Sequence, residues 1–166
     1  MSGVTAREAT IDDSAAITEI YNTGIVERTA TFETRQRDIG EVKQWFDGRH
    51  PVVVGELNGR TVSFAAASEY SSRECYSGIA EFSVYVCQEH RGIGAGNITM
   101  RRLVEESRKK GFWKLLSRVF TDNIASRNML RSVGFREVGV YERHGKLENS
   151  WKDVVIVEFL IMENIR

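Results

Sequence analysis

The segment whose residue types point most directly to chemistry is Arg91-Gly92-Ile93-Gly94-Ala95-Gly96, between an expected strand and an expected helix. Its small residues let successive backbone N–H groups turn toward one point, and the N-terminus of a helix adds partial positive charge. Backbone donors arranged in this way hold a pyrophosphate, and the Arg91 side chain is a further donor. The segment therefore predicts a ligand that carries phosphate groups.

The spacing of the glycines narrows the class of ligand. Position 97 is Asn, so the G-x-G-x-x-G fingerprint of dinucleotide binding is not met, and no Gly-Lys-Ser/Thr follows as in a P-loop. An isolated glycine-rich segment also occurs in tight strand-to-helix turns that bind nothing. The motif by itself leaves both interpretations open.

A carboxylate and a thiol flank this segment. Glu81 lies in the preceding strand-like run, where a general base toward an amine is one interpretation and a solvent-facing strand residue is the simpler one. Cys87, with His90 as a base, allows an acyl-cysteine route, although a lone cysteine is usually inert. Since Cys75 and Cys87 lack C-x-x-C spacing, we expect free thiols and no metal site.

Length and composition predict one globular domain over residues 1–166, with 42% hydrophobic and 28% charged residues and a single proline. Lys plus Arg and Asp plus Glu number 23 each, so the positive surplus of a nucleic-acid-binding protein is missing. The first ten residues contain no apolar signal-peptide core, and the apolar stretches are too short for a membrane span. We therefore expect a cytoplasmic protein without nucleic-acid or membrane partners.

Hydrophobic periodicity and turn signals predict a mixed α/β chain. Strands are expected at residues 4–9, 52–57, 60–67, 79–86, 113–120, 135–141 and 150–161. Helices are expected from about residue 13 to 24, 38 to 48, 94 to 110 and 123 to 133. The turn Asn58-Gly59 joins the second and third strands as a hairpin, and the last two strands form another.

The motifs together resemble the acetyl-CoA signature of the GNAT acetyltransferases, Arg-x-x-Gly-x-Gly after a strand and at the start of a helix. The flanking runs are Glu81 to Val86, Asn123-x-x-Ser126 and Gly134-Phe135. They resemble the phosphinothricin acetyltransferase-like branch, which includes amino-acid and amino-acid-analogue acetyltransferases. The resemblance implies a GNAT acyl-CoA N-acyltransferase fold, with a mixed, mostly antiparallel sheet of about seven strands flanked by four helices.

The resemblance also implies roles for individual residues. Acetyl-CoA would be the co-substrate and a small-molecule primary amine its acceptor, with Glu81 as general base for direct attack in a ternary complex. The implied cofactor-binding residues are Val84, Tyr85, Val86, Arg91, Gly92, Ile93, Gly94, Ala95, Gly96, Asn123 and Ser126.

Three residues are implied to contact the substrate. Arg73-x-x-Tyr76 resembles a pair of the same branch, in which the arginine would bind an anionic substrate group and the tyrosine would wall the pocket. An exposed loop arginine without that duty fits the residues equally well. Phe32 resembles the aromatic residue between the first two helices of the family, but an aromatic there is also compatible with a core position.

The chain departs from the family at two places. Leu130 stands where many GNAT enzymes have a tyrosine, and some of this branch a histidine, as general acid. Since a thiolate is a good leaving group, water or Tyr85 could supply the proton. The segment from Tyr141 to Trp151 is longer than in phosphinothricin acetyltransferases, and its His144-Gly145-Lys146-Leu147 resembles broader GNAT relatives.

Two other functions remain open from the sequence. One is a protein or peptide N-terminal acetyltransferase, and the other is an acyl-CoA-binding module without catalysis. A homodimer through the apolar run from Val154 to Ile161 is compatible with the sequence, as is a core strand at the same place.

Overall fold

The computed structural model describes residues 3–166, which form seven strands and four α-helices. The strands are β1 (Thr5–Glu8), β2 (Val52–Leu57), β3 (Arg60–Glu69), β4 (Ile79–Val86), β5 (Lys114–Phe120), β6 (Arg136–Leu147) and β7 (Ser150–Leu160). The helices are α1 (Ser14–Glu27), α2 (Ile39–Lys43), α3 (Ala95–Lys109) and α4 (Ile124–Val133). Met1 and Ser2, which begin the segment expected to lack a signal-peptide core, lie outside the described residues.

The strands form one sheet in the order β1-β2-β3-β4-β5-β7-β6. Neighbouring strands are antiparallel except β4 and β5, which run parallel. A parallel pair needs a crossover connection, and α3 lies in the segment that supplies it. The predicted mixed, mostly antiparallel sheet with four helices is confirmed. No helix within residues 3–166 is long and apolar enough to cross a membrane.

Alternating residues of the strands belong to two different cores. In β2, Val52 and Val54 pack in one cluster with Ile17 of α1 and Val42 of α2. Val53, which points the other way, packs in a second cluster that contains residues of α3 and α4. The sheet is therefore covered by α1 and α2 on one face and by α3 and α4 on the other.

Helix α1 continues past Gly24, where the sequence predicted its end. A Cβ on Gly24 would lie 2.7 Å from Cδ1 of Tyr85, so this glycine permits a close approach of α1 to β4. The helix instead ends at Glu27, and the next residue, Arg28, caps it with a left-handed φ of 61°. This contact brings the C-terminal end of α1 against the strand that precedes the glycine-rich segment.

Two other boundaries differ from the prediction. Asp38 caps α2, its Oδ1 accepting a hydrogen bond from the Glu41 N–H at 2.9 Å, but the helix ends at Lys43 and a turn follows. Strand β6 continues to Leu147 although the prediction ended it at Tyr141. Its additional residues are mostly polar and exposed, which is typical of an edge strand. Because these residues do not alternate between apolar and polar, hydrophobic periodicity did not predict them as strand.

Candidate active site

The parallel pair β4 and β5 separates partway along its length. The two strands pair through three residue pairs, of which the last is Glu81 with Leu116. Beyond it, β4 stays paired with β3 as far as Val86, and β5 stays paired with β7 as far as Phe120. Among residues 3–166, the β5-facing edge of β4 after Glu81 thus has no strand partner. The Ser117 and Arg91 side chains donate to the Phe82 and Val86 carbonyls, and the strand edge itself stays open to an extended ligand.

The glycine-rich segment has the backbone geometry of an anion cradle. Gly92 and Gly94 have φ angles of 80° and 86°, in the left-handed region that favours glycine. Gly94 is the N-cap of α3 and, as a glycine, has no side chain to satisfy the N–H groups of the first turn. These N–H groups and the positive end of the helix fit a pyrophosphate.

The Arg91 side chain is already engaged. Its Nη1 and Nη2 donate to the two carboxylate oxygens of Glu27 at 2.8 and 2.7 Å, and its Nε donates to the Val86 carbonyl at 3.3 Å. Hydrogen bonding to Arg91 lowers the pKa of Glu27, and the pKa of Arg91 is raised in turn. Sequence reasoning missed Glu27, which pairs with two nitrogens of this guanidinium.

A pocket of about 420 Å³ lies beside the unpaired edge of β4 and the start of α3. It is lined by Thr29, Ala30, Val84, Tyr85, Val86, Arg91, Gly94, Gly96, Asn97, Asn123, Ala125, Ser126, Met129 and Ser132. Eight of the predicted cofactor-binding residues are among them. Gly92, Ile93 and Ala95 are not; Ile93 has an exposed side chain, and Ala95 packs in the core with Val62.

A second pocket, of about 350 Å³, adjoins the first along the same strand. It is lined by Tyr21, Ala30, Thr31, Phe32, Glu33, Glu81, Phe82, Ser83, Val84, Tyr85, Ser117, Arg118, Val119, Phe120, Asn123, Ser126 and Leu130. Five residues line both pockets, namely Ala30, Val84, Tyr85, Asn123 and Ser126. A ligand in one pocket can therefore reach a ligand in the other at β4.

Glu81 lies in this second pocket at the point where β4 and β5 part. Its side chain is 30% exposed and accepts a hydrogen bond from Nη1 of Arg118 at 3.1 Å. Ser117, the neighbour of Arg118, donates its hydroxyl to the Phe82 carbonyl at 2.9 Å and bridges the opening strands. The carboxylate is thus accessible from the pocket and held by one cation.

Asn123 has a structural duty as well as a place in both pockets. Its side-chain oxygen accepts a hydrogen bond from the Ser126 N–H at 3.2 Å, which caps α4. The Asn-x-x-Ser spacing is thereby explained as a helix cap, and the same cap presents both residues to the two pockets.

Phe32 is both a packed aromatic residue and a pocket residue, the two alternatives that the sequence left open. Its ring packs edge-on against Phe120, with ring centroids 4.9 Å apart, and it also lines the second pocket. A Cβ on Gly145 would lie 2.9 Å from this ring. The loop after α1 and strand β6 therefore meet at one wall of the pocket.

Arg73 and Tyr76 lie in the loop that leads into β4. The Arg73 guanidinium stands over the Tyr76 ring at 5.3 Å, and Tyr70 packs edge-on against the same ring. Neither residue is among those that line the two pockets. The structure brings Phe32 and Glu81 together but leaves this pair outside their pocket.

The position of the usual general acid is apolar. Leu130 is 1% exposed, packs in the core and contributes to the wall of the second pocket. Tyr85 lines both pockets, and burial raises its pKa well above the usual value of about 10. Tyr85 stays protonated at neutral pH, but burial makes it a weaker acid than an exposed tyrosine.

Cys87 is separated from the chemistry that an acyl-cysteine route requires. It lines a third pocket together with Glu19 and Arg60 and is absent from the lining of the other two. Burial raises the pKa of its thiol, which lowers the fraction of reactive thiolate. These observations argue against acetyl transfer through Cys87 and His90.

The free strand edge, the anion cradle and the accessible carboxylate fit a ligand with a pyrophosphate, an extended amide arm and a reactive end. The fold and the site thus define the class of acyl-CoA-dependent transferases. The family profile described as the Acetyltransferase (GNAT) family matches residues 17–135, and the chain belongs to this family.

Two relatives belong to the branch that the motifs resemble. The L-methionine sulfoximine/L-methionine sulfone acetyltransferase of Salmonella typhimurium is 30% identical over 165 residues, which cover 97% of this chain and 96% of the relative. The phosphinothricin N-acetyltransferase of Streptomyces viridochromogenes is 27% identical over 157 residues, with coverage of 91% and 84%. The resemblance to the phosphinothricin acetyltransferase-like branch is confirmed.

Two solved structures share the fold over nearly the full chain. A Salmonella typhimurium acetyltransferase solved with its cofactor acetyl-CoA has a TM-score of 0.91 and 29% identity, covering 99% of this chain and 97% of its own. A ribosomal-protein-alanine N-acetyltransferase of Brucella melitensis has a TM-score of 0.88 and 29% identity, with coverage of 94% and 99%.

Proposed function

We propose that this chain transfers the acetyl group of acetyl-CoA to the primary amine of a free amino acid or amino-acid analogue. The observation that carries the proposal is the meeting of the two pockets at β4, with Glu81 in one and the start of α3 in the other. Relatives named for methionine sulfoximine, methionine sulfone and phosphinothricin support this substrate class.

Glu81 is the general base of the proposed reaction. Its carboxylate accepts one proton from the substrate ammonium, directly or through a water, and leaves a nitrogen lone pair that can attack. Acetyl-CoA supplies the electrophilic thioester carbonyl and the thiolate leaving group. As the C–N bond replaces the C–S bond, the second proton of the nitrogen neutralises the thiolate, and Glu81 returns its proton to solvent.

The cofactor-binding residues act mainly through their backbone. We propose that the N–H groups from Gly92 to Gly96 hold the pyrophosphate, and that the free edge from Val84 to Val86 pairs with the amides of the pantetheine arm. Asn123 and Ser126 border the reactive end, since they line both pockets. Arg91 would bind the phosphate through the two N–H groups that Glu27 and Val86 leave over, or by exchanging its partner Glu27.

The substrate occupies the second pocket. Phe32 forms its wall beside Glu81. Arg73 and Tyr76, in the loop before β4, are proposed contacts for an anionic group at the distal end of a long substrate. With Leu130 apolar and Tyr85 a weak acid, water remains the carrier of protons to the leaving group.

A peptide N-terminal acetyltransferase is the second candidate function. The similarity to a structure named for ribosomal-protein-alanine acetylation favours it. An acyl-CoA-binding module without catalysis is a third possibility, and it would need the cradle but not Glu81.

The experiment that separates these functions is thiol release from acetyl-CoA in the presence of a panel of amines. The panel contains free amino acids, methionine sulfone, phosphinothricin, polyamines and short peptides. Turnover with an amino-acid-like amine and silence with peptides is the expected result. Turnover with peptides alone would establish the second function, and acetyl-CoA binding without any turnover would establish the third.

We further propose that the protein is a cytoplasmic homodimer. Two free cysteines are compatible with a reducing compartment. Residues Val154 to Val157 are buried in the core, so an interface would instead use the exposed Val138, Val140 and Tyr141 of the edge strand β6. Sedimentation of the wild type and of Val140→Asp tests this proposal, since the variant should be monomeric.

A further inference from the structure

Arg118 is a cation of the substrate pocket that retains free hydrogen-bond donors. Within residues 3–166, the hydrogen bond from its Nη1 to Glu81 is the one that its side chain makes. Nη2 and Nε therefore have no partner in the described part of the chain. The side chain is 40% exposed and contributes to the lining of the pocket.

The other charges that line this pocket do not compete for Arg118. Glu33 is held by Arg37, whose Nη2 donates to it at 2.7 Å. The remaining ionised groups of the lining are Glu81 and Arg118 themselves. Apart from Glu33, which is paired with Arg37, the pocket thus presents one anion and one cation side by side.

We propose that Arg118 binds the α-carboxylate of the substrate while Glu81 receives its ammonium. This inference rests on the proposed function and names the substrate class more narrowly, as α-amino acids with a free carboxylate. The ammonium nitrogen and the carboxyl carbon of an α-amino acid lie about 2.5 Å apart. The Arg118 Nη1 and Glu81 Oε1 atoms are 3.1 Å apart, so one α-amino acid can lie beside the pair with its ammonium at Glu81 and its carboxylate at Arg118.

The arrangement also links recognition to proton transfer. The substrate carboxylate offers Arg118 a second anionic partner through its free donors, and this weakens the hold of the guanidinium on Glu81. A less tightly held carboxylate is a better acceptor for the proton of the ammonium. When the amine lacks a carboxylate, Arg118 keeps Glu81 as its one anionic partner. Such a substrate neither hydrogen-bonds to Arg118 nor weakens the hydrogen bond between Arg118 and Glu81.

Arg118 thereby differs in role from Arg73. Arg118 lies beside the proposed base and is suited to the end of the substrate that carries the reacting nitrogen. Arg73 lies outside the pocket lining, so it suits a group at the opposite end of a longer substrate. Discrimination between a free acid and its amide consequently belongs to Arg118.

The test compares kcat/KM for L-methionine sulfone with kcat/KM for its α-amide, which keeps the amine and lacks the carboxylate. Arg118→Met keeps the length of the side chain without its charge. We expect it to reduce kcat/KM for the free acid by about 10- to 100-fold, because a charge-assisted hydrogen bond is lost. The same variant should change the amide by less than about threefold.

Two further variants complete the comparison. Arg118→Lys keeps the charge and should restore part of the preference for the free acid. Arg108→Met removes an arginine of similar exposure, 39%, from its ion pair with Glu105 on α3, outside both pockets. It should retain wild-type kinetics with both substrates.

Equal losses with acid and amide in Arg118→Met would overturn the proposal, since Arg118 would then act only through Glu81. A wild type that does not distinguish the two substrates would overturn it as well. Calorimetric binding of L-methionine sulfone in the presence of CoA separates this inference from the proposed function. If no amine is turned over, the acetyltransferase proposal fails, and unchanged affinity in Arg118→Met refutes the carboxylate site independently.

Discussion

Arg91 and Glu27 form a two-bond ion pair that ties the glycine-rich segment to the end of α1, with N–O distances of 2.8 and 2.7 Å. The pair places a carboxylate next to the backbone donors that suit a pyrophosphate. Three of the five N–H groups of Arg91 are engaged by Glu27 and by the Val86 carbonyl, so a phosphate would meet a guanidinium whose charge is already paired. We therefore expect the ion pair to oppose cofactor binding, although its arginine lies in the segment that resembles the signature of the family.

Removal of this carboxylate is expected to strengthen cofactor binding. Glu27→Gln frees Arg91 and removes a negative charge, so we expect the Kd for acetyl-CoA to fall about two- to fivefold. Calorimetry at low ionic strength measures the effect. Glu19→Gln, which removes a carboxylate from the same helix outside the cofactor pocket, is the control. Weaker binding in Glu27→Gln would show that Glu27 positions Arg91 for the phosphate.

The same ion pair predicts a pH dependence of stability. The pKa of Glu27 in the folded protein lies below its ordinary value of 4.5. Its contribution is therefore complete above about pH 4.5 and is lost as the pH falls through the lowered pKa. At pH 7 we expect Glu27→Gln to unfold with less than about 1 kcal/mol lower stability, since the pair is partly exposed. In urea unfolding the difference should shrink as the pH falls below 4.5, and a difference that grows at acid pH would contradict the assignment.

The left-handed backbone of Gly94 is expected to be essential for the cradle. Gly94→Ala meets no steric obstacle but forces an alanine to a φ of 86°, at a cost of about 1–2 kcal/mol. We expect the Kd for acetyl-CoA to rise at least about tenfold, because the first N–H groups of α3 turn away. Gly59→Ala places the same strain, at a φ of 76°, in the β2–β3 turn and should leave binding unchanged. Equal affinities of the two variants for acetyl-CoA would contradict the proposal that the backbone at Gly94 binds the pyrophosphate.

Tyr85 is expected to contribute little as a general acid. Burial raises its pKa above the usual value, whereas the thiolate that would receive its proton has a pKa of about 8.5, as judged from cysteine. Tyr85→Phe keeps the ring that packs against Tyr21 and Phe64. We expect kcat to change by less than about threefold. A fall of about 100-fold would make Tyr85 the proton donor that replaces the acid missing at Leu130.

Some structural features of the candidate site depend only on residues that are neighbours in the chain. The turn at the glycine-rich segment and the helix start after it were predicted from neighbouring residues, and the structure adds the positive φ angles of Gly92 and Gly94. The cap by Asn123 is equally local but was not predicted. Gly24 shows where prediction from neighbouring residues fails. A glycine in a helical pattern is equally compatible with the end of the helix and with a close approach of the helix to another element. Only packing against Tyr85 decides between them.

Partners that are distant in the chain were not predictable in the same way. Glu27 and Arg91 are 64 residues apart, and Glu81 and Arg118 are 37 apart, so no spacing rule connects them. One signal was present for Arg118, which is a charged residue inside the mainly apolar strand β5. Residues that are close in the chain can also lie in different sites. Cys87 is four residues from Arg91 in the sequence, but it lines a different pocket.

The most direct test of the account is the effect of Glu81→Gln on the acetylation of L-methionine sulfone. Glutamine keeps the shape of the side chain but cannot accept the proton, so we predict that kcat falls by about 10²- to 10⁴-fold. The Kd for acetyl-CoA should stay within about twofold of the wild type. Glu69→Gln, on the adjacent strand β3, is the control and should keep full activity. A Glu81→Gln variant with wild-type kcat would contradict the assignment of Glu81 as the base.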